Sequence, residues 1–167
     1  MPSHGVKLNH SMLRITDPKK SLAFYVDTLG ATLIERFDFD EMGFTLYFLG
    51  FGSGFTSQMP ESRPERIEWL ASQSGLLELT HNHGAESNPD FAGYHNGNVD
   101  PKGFGHLCIS VPDVYATCNE LNDAGIEFVK QPDGGSMKGI AFVKDPDGYW
   151  IEIFSPHTLT ELIMKGT

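Results

Sequence analysis

The chain has 167 residues, a length that fits one ordinary globular core. Its composition, with 40% hydrophobic and 20% charged residues, is typical of a soluble globular protein and excludes a disordered chain. The 12 Lys and Arg residues against 22 Asp and Glu residues give a net charge of -10, which repels nucleic acid. No apolar run approaches the roughly 20 residues that span a bilayer, and the first residues lack the layout of a signal peptide. We therefore expect a cytoplasmic protein that binds neither nucleic acid nor membrane.

The chain contains an internal repeat. Residues 10–17 read HSMLRITD and residues 106–113 read HLCISVPD, with His, an alternating apolar series and Asp at matching places. Each segment predicts a strand followed by a helix, because the Asp is a good N-cap and apolar residues then recur at helical spacing. The repeats cover about 8–82 and 104–156, within a single domain of residues 1–167.

Three further strands follow each helix. In the first repeat we predict them at 31–39, 44–51 and 75–82. In the second repeat we predict them at 126–131, 139–145 and 148–155, the last two joined by a DPDG hairpin turn. The first repeat also carries a longer loop at 52–74 with a short helix, and a polar connection at 83–103 separates the repeats. The predicted fold class is α+β, with two paired βαβββ modules that form a concave sheet.

Histidine and glutamate recur at matching positions of the two repeats. Alternate side chains of a strand share a face, so His10 and Arg14 lie on one face, and His106 and Cys108 lie on the equivalent face. In the last strand of each repeat one carboxylate is set between two apolar neighbours, in Leu77-Glu78-Leu79 and in Ile151-Glu152-Ile153. Each repeat therefore offers one imidazole and one carboxylate.

Two imidazoles and two carboxylates on a concave face suit a divalent metal ion. Such an ion polarises a carbonyl group, and a carboxylate beside it takes and returns a proton. Any one of the four residues taken alone is more often a hydrogen-bonded His or a solvent-facing Glu. Their recurrence at matching positions favours the metal site.

The chain resembles glyoxalase I, the lactoylglutathione lyase of the vicinal oxygen chelate (glyoxalase/bleomycin resistance/dioxygenase) superfamily. The resemblance rests on HSMLRITDPKKSLAFY, LLELTHN, YHNGN, DPKGFGH, MKGIAF and DPDGYWIEI, and it runs from about Leu8 to about Pro156. It implies paired βαβββ modules and a homodimer with active sites shared between subunits. It also implies isomerisation of the methylglyoxal-glutathione hemithioacetal to S-lactoylglutathione through an enediolate, with glutathione as co-substrate.

The resemblance assigns roles to particular residues. The implied metal ligands are His10, Glu78, His106 and Glu152, with Glu152 as the principal proton-transfer group and Glu78 as its counterpart. The implied substrate contacts are Arg14, Asn82, Lys102, His106, Lys130, Ser136 and Met137. One divalent ion is expected per site, zinc or nickel, with cobalt as a further candidate.

Two positions depart from the family pattern. His10 stands where the long-loop, zinc-type members carry Gln, although this chain keeps the long loops, so the metal preference stays open. Lys102 stands where Arg is usual; it keeps the charge and loses the two-pronged fit to a carboxylate. Weaker glutathione binding, or preference for another thiol, is the expected consequence.

Two other functions remain as alternatives. Another metalloenzyme of the superfamily, an extradiol dioxygenase or a thiol transferase, typically uses two His and one Glu, so the fourth candidate ligand disfavours it. A non-enzymatic module that sequesters a ligand typically lacks the metal ligands. Among the remaining residues we expect reduced, structural cysteines with Cys108 buried and inert, and structural roles for His81 and His83. We expect His4, His95 and His157 at the surface.

Overall fold

The computed structural model describes residues 5–166, which form two compact units that divide between Tyr94 and His95. His4, which we expected at the surface, lies outside the described residues. Within these limits no helix is long and apolar enough to cross a membrane.

The first unit is a four-stranded mixed sheet with helices. Its elements are β1 (His10–Ile15), α1 (Pro18–Leu22), β2 (Thr32–Phe39), β3 (Phe44–Gly50), α2 (Gly54–Ser57), α3 (Arg63–Ser72) and β4 (Leu76–Asn82). The strand order is β1-β4-β3-β2, with β1 parallel to β4 and the other pairs antiparallel. Short 3-10 turns at Asp40–Met42 and Ala85–Ser87 follow β2 and β4.

The second unit repeats this topology. Its elements are β5 (His106–Ser110), α4 (Val114–Asp123), β6 (Phe128–Lys130), β7 (Ala141–Lys144), β8 (Trp150–Phe154) and α5 (Pro156–Gly166). The strand order is β5-β8-β7-β6, with β5 parallel to β8 and the other pairs antiparallel. The predicted α+β architecture of two βαβββ modules is therefore confirmed.

Matching caps begin the first helix of each unit. The Asp17 carboxylate accepts hydrogen bonds from the backbone amides of Lys19 and Lys20, and Asp113 accepts them from Tyr115 and Ala116. Each cap turns the chain from the first strand into a helix that covers one face of the sheet. The opposite face of the sheet is left for the site.

The structure corrects three predictions about elements. The first helix gives way after Leu22 to a π-helical turn at Ala23–Thr28, and β6 is shorter than the predicted strand at 126–131. Helix α5 was not predicted at all. Its start has a sequence signal, since the Ser155 hydroxyl accepts from the amide of Thr158 while the Thr158 hydroxyl accepts from the amide of Ser155.

Candidate metal and active site

The first unit brings His10 and Glu78 together on one face of its sheet. Parallel pairing sets Met12 beside Glu78, so His10 lies one pleat away on the same face. The Nε2 atom of His10 is 3.2 Å from Oε2 of Glu78. The His10 side chain is 37% exposed and the Glu78 side chain is 12% exposed, so the imidazole lies at the surface and the carboxylate is largely buried.

The second unit builds the same pair. Parallel pairing sets Cys108 beside Glu152, again one residue pair beyond the histidine. The Nε2 atom of His106 is 3.1 Å from Oε2 of Glu152, with side chains 41% and 17% exposed. The two pairs thus agree in register, in distance and in exposure.

A phenylalanine completes each pair. Phe48 on β3 is the cross-strand neighbour of Glu78, and Phe142 on β7 is that of Glu152. Ring centroids lie 5.2 Å apart for His10 and Phe48, and 5.3 Å for His106 and Phe142, both near edge-to-face. The aromatic ring restricts how the imidazole can turn. Sequence reasoning missed these two residues, although aligning the third strand of each repeat finds them.

Each carboxylate has a further partner, and the two partners differ. Thr80 donates a hydroxyl hydrogen bond of 2.9 Å to Oε1 of Glu78. On the other pair, the thiol of Cys108 is the hydrogen-bond partner of Glu152. A thiol is a weaker donor than a hydroxyl, so Glu152 is the less tightly engaged of the two carboxylates.

Cys108 is exposed, so the prediction that it is buried was wrong. It lies on the site face of β5, where alternation turns it away from the helix side of the sheet. Desolvation, together with the Glu152 carboxylate, raises the pKa of the Cys108 thiol to about 12. The thiol therefore stays protonated near neutrality. Cys118 is buried in α4, and both cysteines are free.

The two histidines differ in what holds their other ring nitrogen. The Nδ1 atom of His10 is 2.8 Å from Oδ1 of Asn9, and Asn9 also bonds the end of helix α3. His106 follows Gly105, which has no side chain to play this role. Within the described residues, no hydrogen bond reaches Nδ1 of His106.

The inserted segment at 52–74 packs against the site face of the first sheet. Leu70 of α3 joins a buried cluster with Ile34, Phe48 and Leu76. Arg66 binds the carboxylate of Glu35 on β2 at 3.0 Å. The insertion therefore covers Phe48 and Leu76, the strand residues that lie next to His10.

Three of the expected substrate contacts carry exposed polar groups. Arg14 lies on the site face of β1, and no ion pair to it is found among residues 5–164. Asn82 ends β4 and donates a hydrogen bond of 3.1 Å to the Tyr94 hydroxyl. Lys102 is exposed in the connection between the repeats.

Lys130 is engaged by its own unit. Its ammonium donates to the carbonyl oxygens of Met137 and Ile140, each at 2.6 Å, and desolvation lowers its pKa. Lys130 therefore orders the loop in which Ser136 and Met137 are exposed. That loop, with α4 and α5, borders a cavity of about 920 Å³.

The histidines expected to be structural have structural partners. His81 is buried and pairs with Glu86 at 2.7 Å, and His83 lies beyond the strand with its ring 2.9 Å from the Thr45 hydroxyl. Between residues 5 and 164, no three His, Cys, Asp or Glu side chains form a group that could hold a metal ion. Each unit by itself thus supplies one His and one Glu.

Comparison with known proteins identifies the family. The model of the Glyoxalase/Bleomycin resistance protein/Dioxygenase superfamily matches residues 7–153. The chain is 49% identical over 151 residues to a lactoylglutathione lyase of Pseudomonas putida, covering 90% of this chain and 86% of that protein. It is 51% identical over 145 residues to one of Pseudomonas aeruginosa, covering 87% and 80%.

Solved structures agree with this assignment. The trypanothione-dependent glyoxalase I of Leishmania major superposes with a TM-score of 0.68 at 28% identity, covering 96% of this chain and 94% of that one. The comparisons of sequence and of fold therefore both agree with the family that the repeated motifs of this chain predicted. The chain belongs to the glyoxalase I (lactoylglutathione lyase) family of the glyoxalase/bleomycin resistance protein/dioxygenase superfamily.

Proposed function

We propose that the chain is a metal-dependent lactoylglutathione lyase that isomerises the methylglyoxal-glutathione hemithioacetal to S-lactoylglutathione. The observation that carries this proposal is the repeated His, Glu and Phe arrangement, found once in each unit at matching register. The relatives named lactoylglutathione lyase supply the substrate class.

The chemistry of the donor set fits the metal that this family implies. His10, Glu78, His106 and Glu152 would hold it, since two imidazole nitrogens and two carboxylate oxygens suit zinc, nickel or cobalt. When bound, the ion supplies positive charge that stabilises the negative oxygen of the enediolate.

Glu152 is the residue we assign to proton transfer. Its carboxylate takes the proton from the substrate carbon that bears sulfur and returns it to the adjacent carbon, so the first carbon becomes the thioester carbonyl. Glu152 is 17% exposed and lies beside Phe142 and between Trp150 and Phe154 of its own strand face. These apolar rings limit exchange of the abstracted proton with water. Glu78, whose second oxygen is taken by Thr80, is the counterpart ligand.

The polar groups around the pairs suit the charged ends of glutathione. We assign the γ-glutamyl end to Arg14, Asn82 and Lys102, because an unpaired guanidinium on the site face binds a carboxylate well. We assign the other contact segment to Ser136 and Met137, with Lys130 ordering their loop.

We further propose a homodimer in which each site takes one His and Glu pair from each of two subunits. Exposed apolar side chains beside the pairs, Met12 at 41% and Phe104 at 41%, are surface for a partner to cover. Mixing unfolded His10→Ala and His106→Ala chains and refolding them tests this. Random pairing makes half of the dimers mixed, each with one intact site, so about a quarter of wild-type activity returns. Absence of any recovery would contradict shared sites.

The function itself is tested by thioester formation from methylglyoxal and glutathione. The protein is stripped of metal and reloaded separately with nickel, cobalt or zinc, with His10→Gln run in parallel. Activity that depends on the added ion is the expected result, and a changed metal order in His10→Gln would show that this residue sets the preference. Confirmed metal uptake without thioester formation would contradict the assigned substrate. Oxygen consumption with catechols would favour the dioxygenase alternative instead.

A further inference from the structure

The side-chain amide of Asn9 joins His10 to the end of helix α3. Its Nδ2 atom lies 3.0 Å from the carbonyl oxygen of Leu70, 3.2 Å from that of Ala71 and 3.0 Å from that of Gln73. Its Oδ1 atom lies 2.8 Å from Nδ1 of His10. One short side chain thus contacts a helix terminus 61 residues away and a candidate metal ligand.

These contacts fix which atom of each group carries hydrogen. Carbonyl oxygens only accept, so the amide nitrogen of Asn9 must face α3 and its oxygen must face His10. Because that oxygen also only accepts, Nδ1 of His10 carries the hydrogen and donates it. Nε2, the atom 3.2 Å from the Glu78 carboxylate, is then the ring nitrogen that can be presented to a metal ion.

The anchor for Asn9 is rigid. Helix α3 is fixed to the sheet by Leu70 in the buried cluster and by the Arg66 and Glu35 ion pair, whose side chains are 20% and 10% exposed. Arg66 also donates to the carbonyl oxygen of Glu61 at 2.9 Å, which closes the loop before the helix. Because Asn9 joins His10 to α3, the packed helix restricts where the His10 ring can lie.

We propose that Asn9 is a positioning residue that holds the His10 ring in the orientation and tautomer that present Nε2 to the metal ion. The proposal rests on the proposed function. It also assigns a role to the inserted segment 52–74, because helix α3 of that segment holds the Asn9 side-chain amide. The second unit has Gly105 at the equivalent place, so its His106 is oriented without such a partner. Partners of the second ring nitrogen commonly set metal affinity in histidine sites.

The test measures zinc affinity by competition with a chromogenic chelator, using the full, metal-stripped chain. Asn9→Ala is expected to weaken zinc binding by about 10–100-fold. Lys7→Ala is the matched control, because Lys7 donates to the carbonyl oxygen of Ser72 at the same helix end and does not contact His10. It should change the affinity by less than about twofold.

A double-mutant cycle separates positioning from general destabilisation. Glutamine at position 10 has no second ring nitrogen, so Asn9→Ala should have no further effect on zinc affinity in the His10→Gln background. An equal loss in both backgrounds, or an Asn9→Ala affinity equal to that of Lys7→Ala, would overturn the proposal. A wild-type chain that binds no zinc, nickel or cobalt would instead overturn the metal site, and the proposed function with it.

Discussion

Replacing Glu152 by glutamine removes the carboxylate assigned to proton transfer and keeps the size of the side chain. A positioned general base contributes about 10²–10⁴-fold to the rate, which equals about 3–5 kcal/mol of barrier. Glu78, the other candidate base, has one carboxylate oxygen engaged by the Thr80 hydroxyl, so we expect it to be a poor replacement and the loss to fall within this range.

The assay is kcat for thioester formation, divided by the metal content of each preparation, so that weaker metal binding is not mistaken for slower chemistry. Glu127→Gln is the control, since Glu127 is an exposed carboxylate of the same unit that pairs with Lys144. The control should match the wild type. Metal-loaded Glu152→Gln with full activity would refute the assignment of proton transfer to this residue.

Three further predictions concern stability, reactivity and substrate binding. Arg66→Met should lower the free energy of unfolding by about 1–3 kcal/mol in urea titration, because the nearly buried Glu35 carboxylate loses its closer arginine and keeps only the more exposed Arg63 at 3.5 Å; no change would mean that the Arg66 pair contributes nothing. Iodoacetamide at about pH 8 should modify Cys108 and Cys118 slowly in the native protein and rapidly after unfolding, since raised pKa values keep both thiols protonated until the pH nears about 11–12; fast alkylation of native Cys108 would contradict this. Lys102→Arg should lower KM for the glutathione hemithioacetal by about 3–10-fold through a two-pronged carboxylate contact; an unchanged KM would place Lys102 away from the substrate.

The sequence was sufficient to predict the two modules and the face of each sheet on which the candidate His and Glu lie. Alternation along a strand placed His10 and His106 on the face opposite the helices, and both are exposed while Leu13 and Ile15 are buried. The repeat supplied the rest, because Glu78 and Glu152 each recur between apolar neighbours. The alternation of residues along a strand is enough to predict which face of the sheet a side chain lies on.

Contacts between distant segments could not be predicted in this way. Phe48 and Phe142 read as ordinary core residues, since nothing in an apolar strand marks the one residue that will face a histidine. Asn9 reads as the residue before a strand, and its link to α3 spans more than 60 residues. Cys108 was expected to be buried because free cysteines usually are, whereas the register of β5 turns it to the site face.

The central claim is that the two His and Glu pairs serve one metal ion. Metal content of wild-type protein and of the His10→Ala and His106→Ala variants, measured after equilibration with limiting free zinc, tests it most directly. We expect one tightly bound ion per chain in the wild type and loss of tight binding in both variants. Two ions per chain in the wild type, with one retained in each variant, would contradict it.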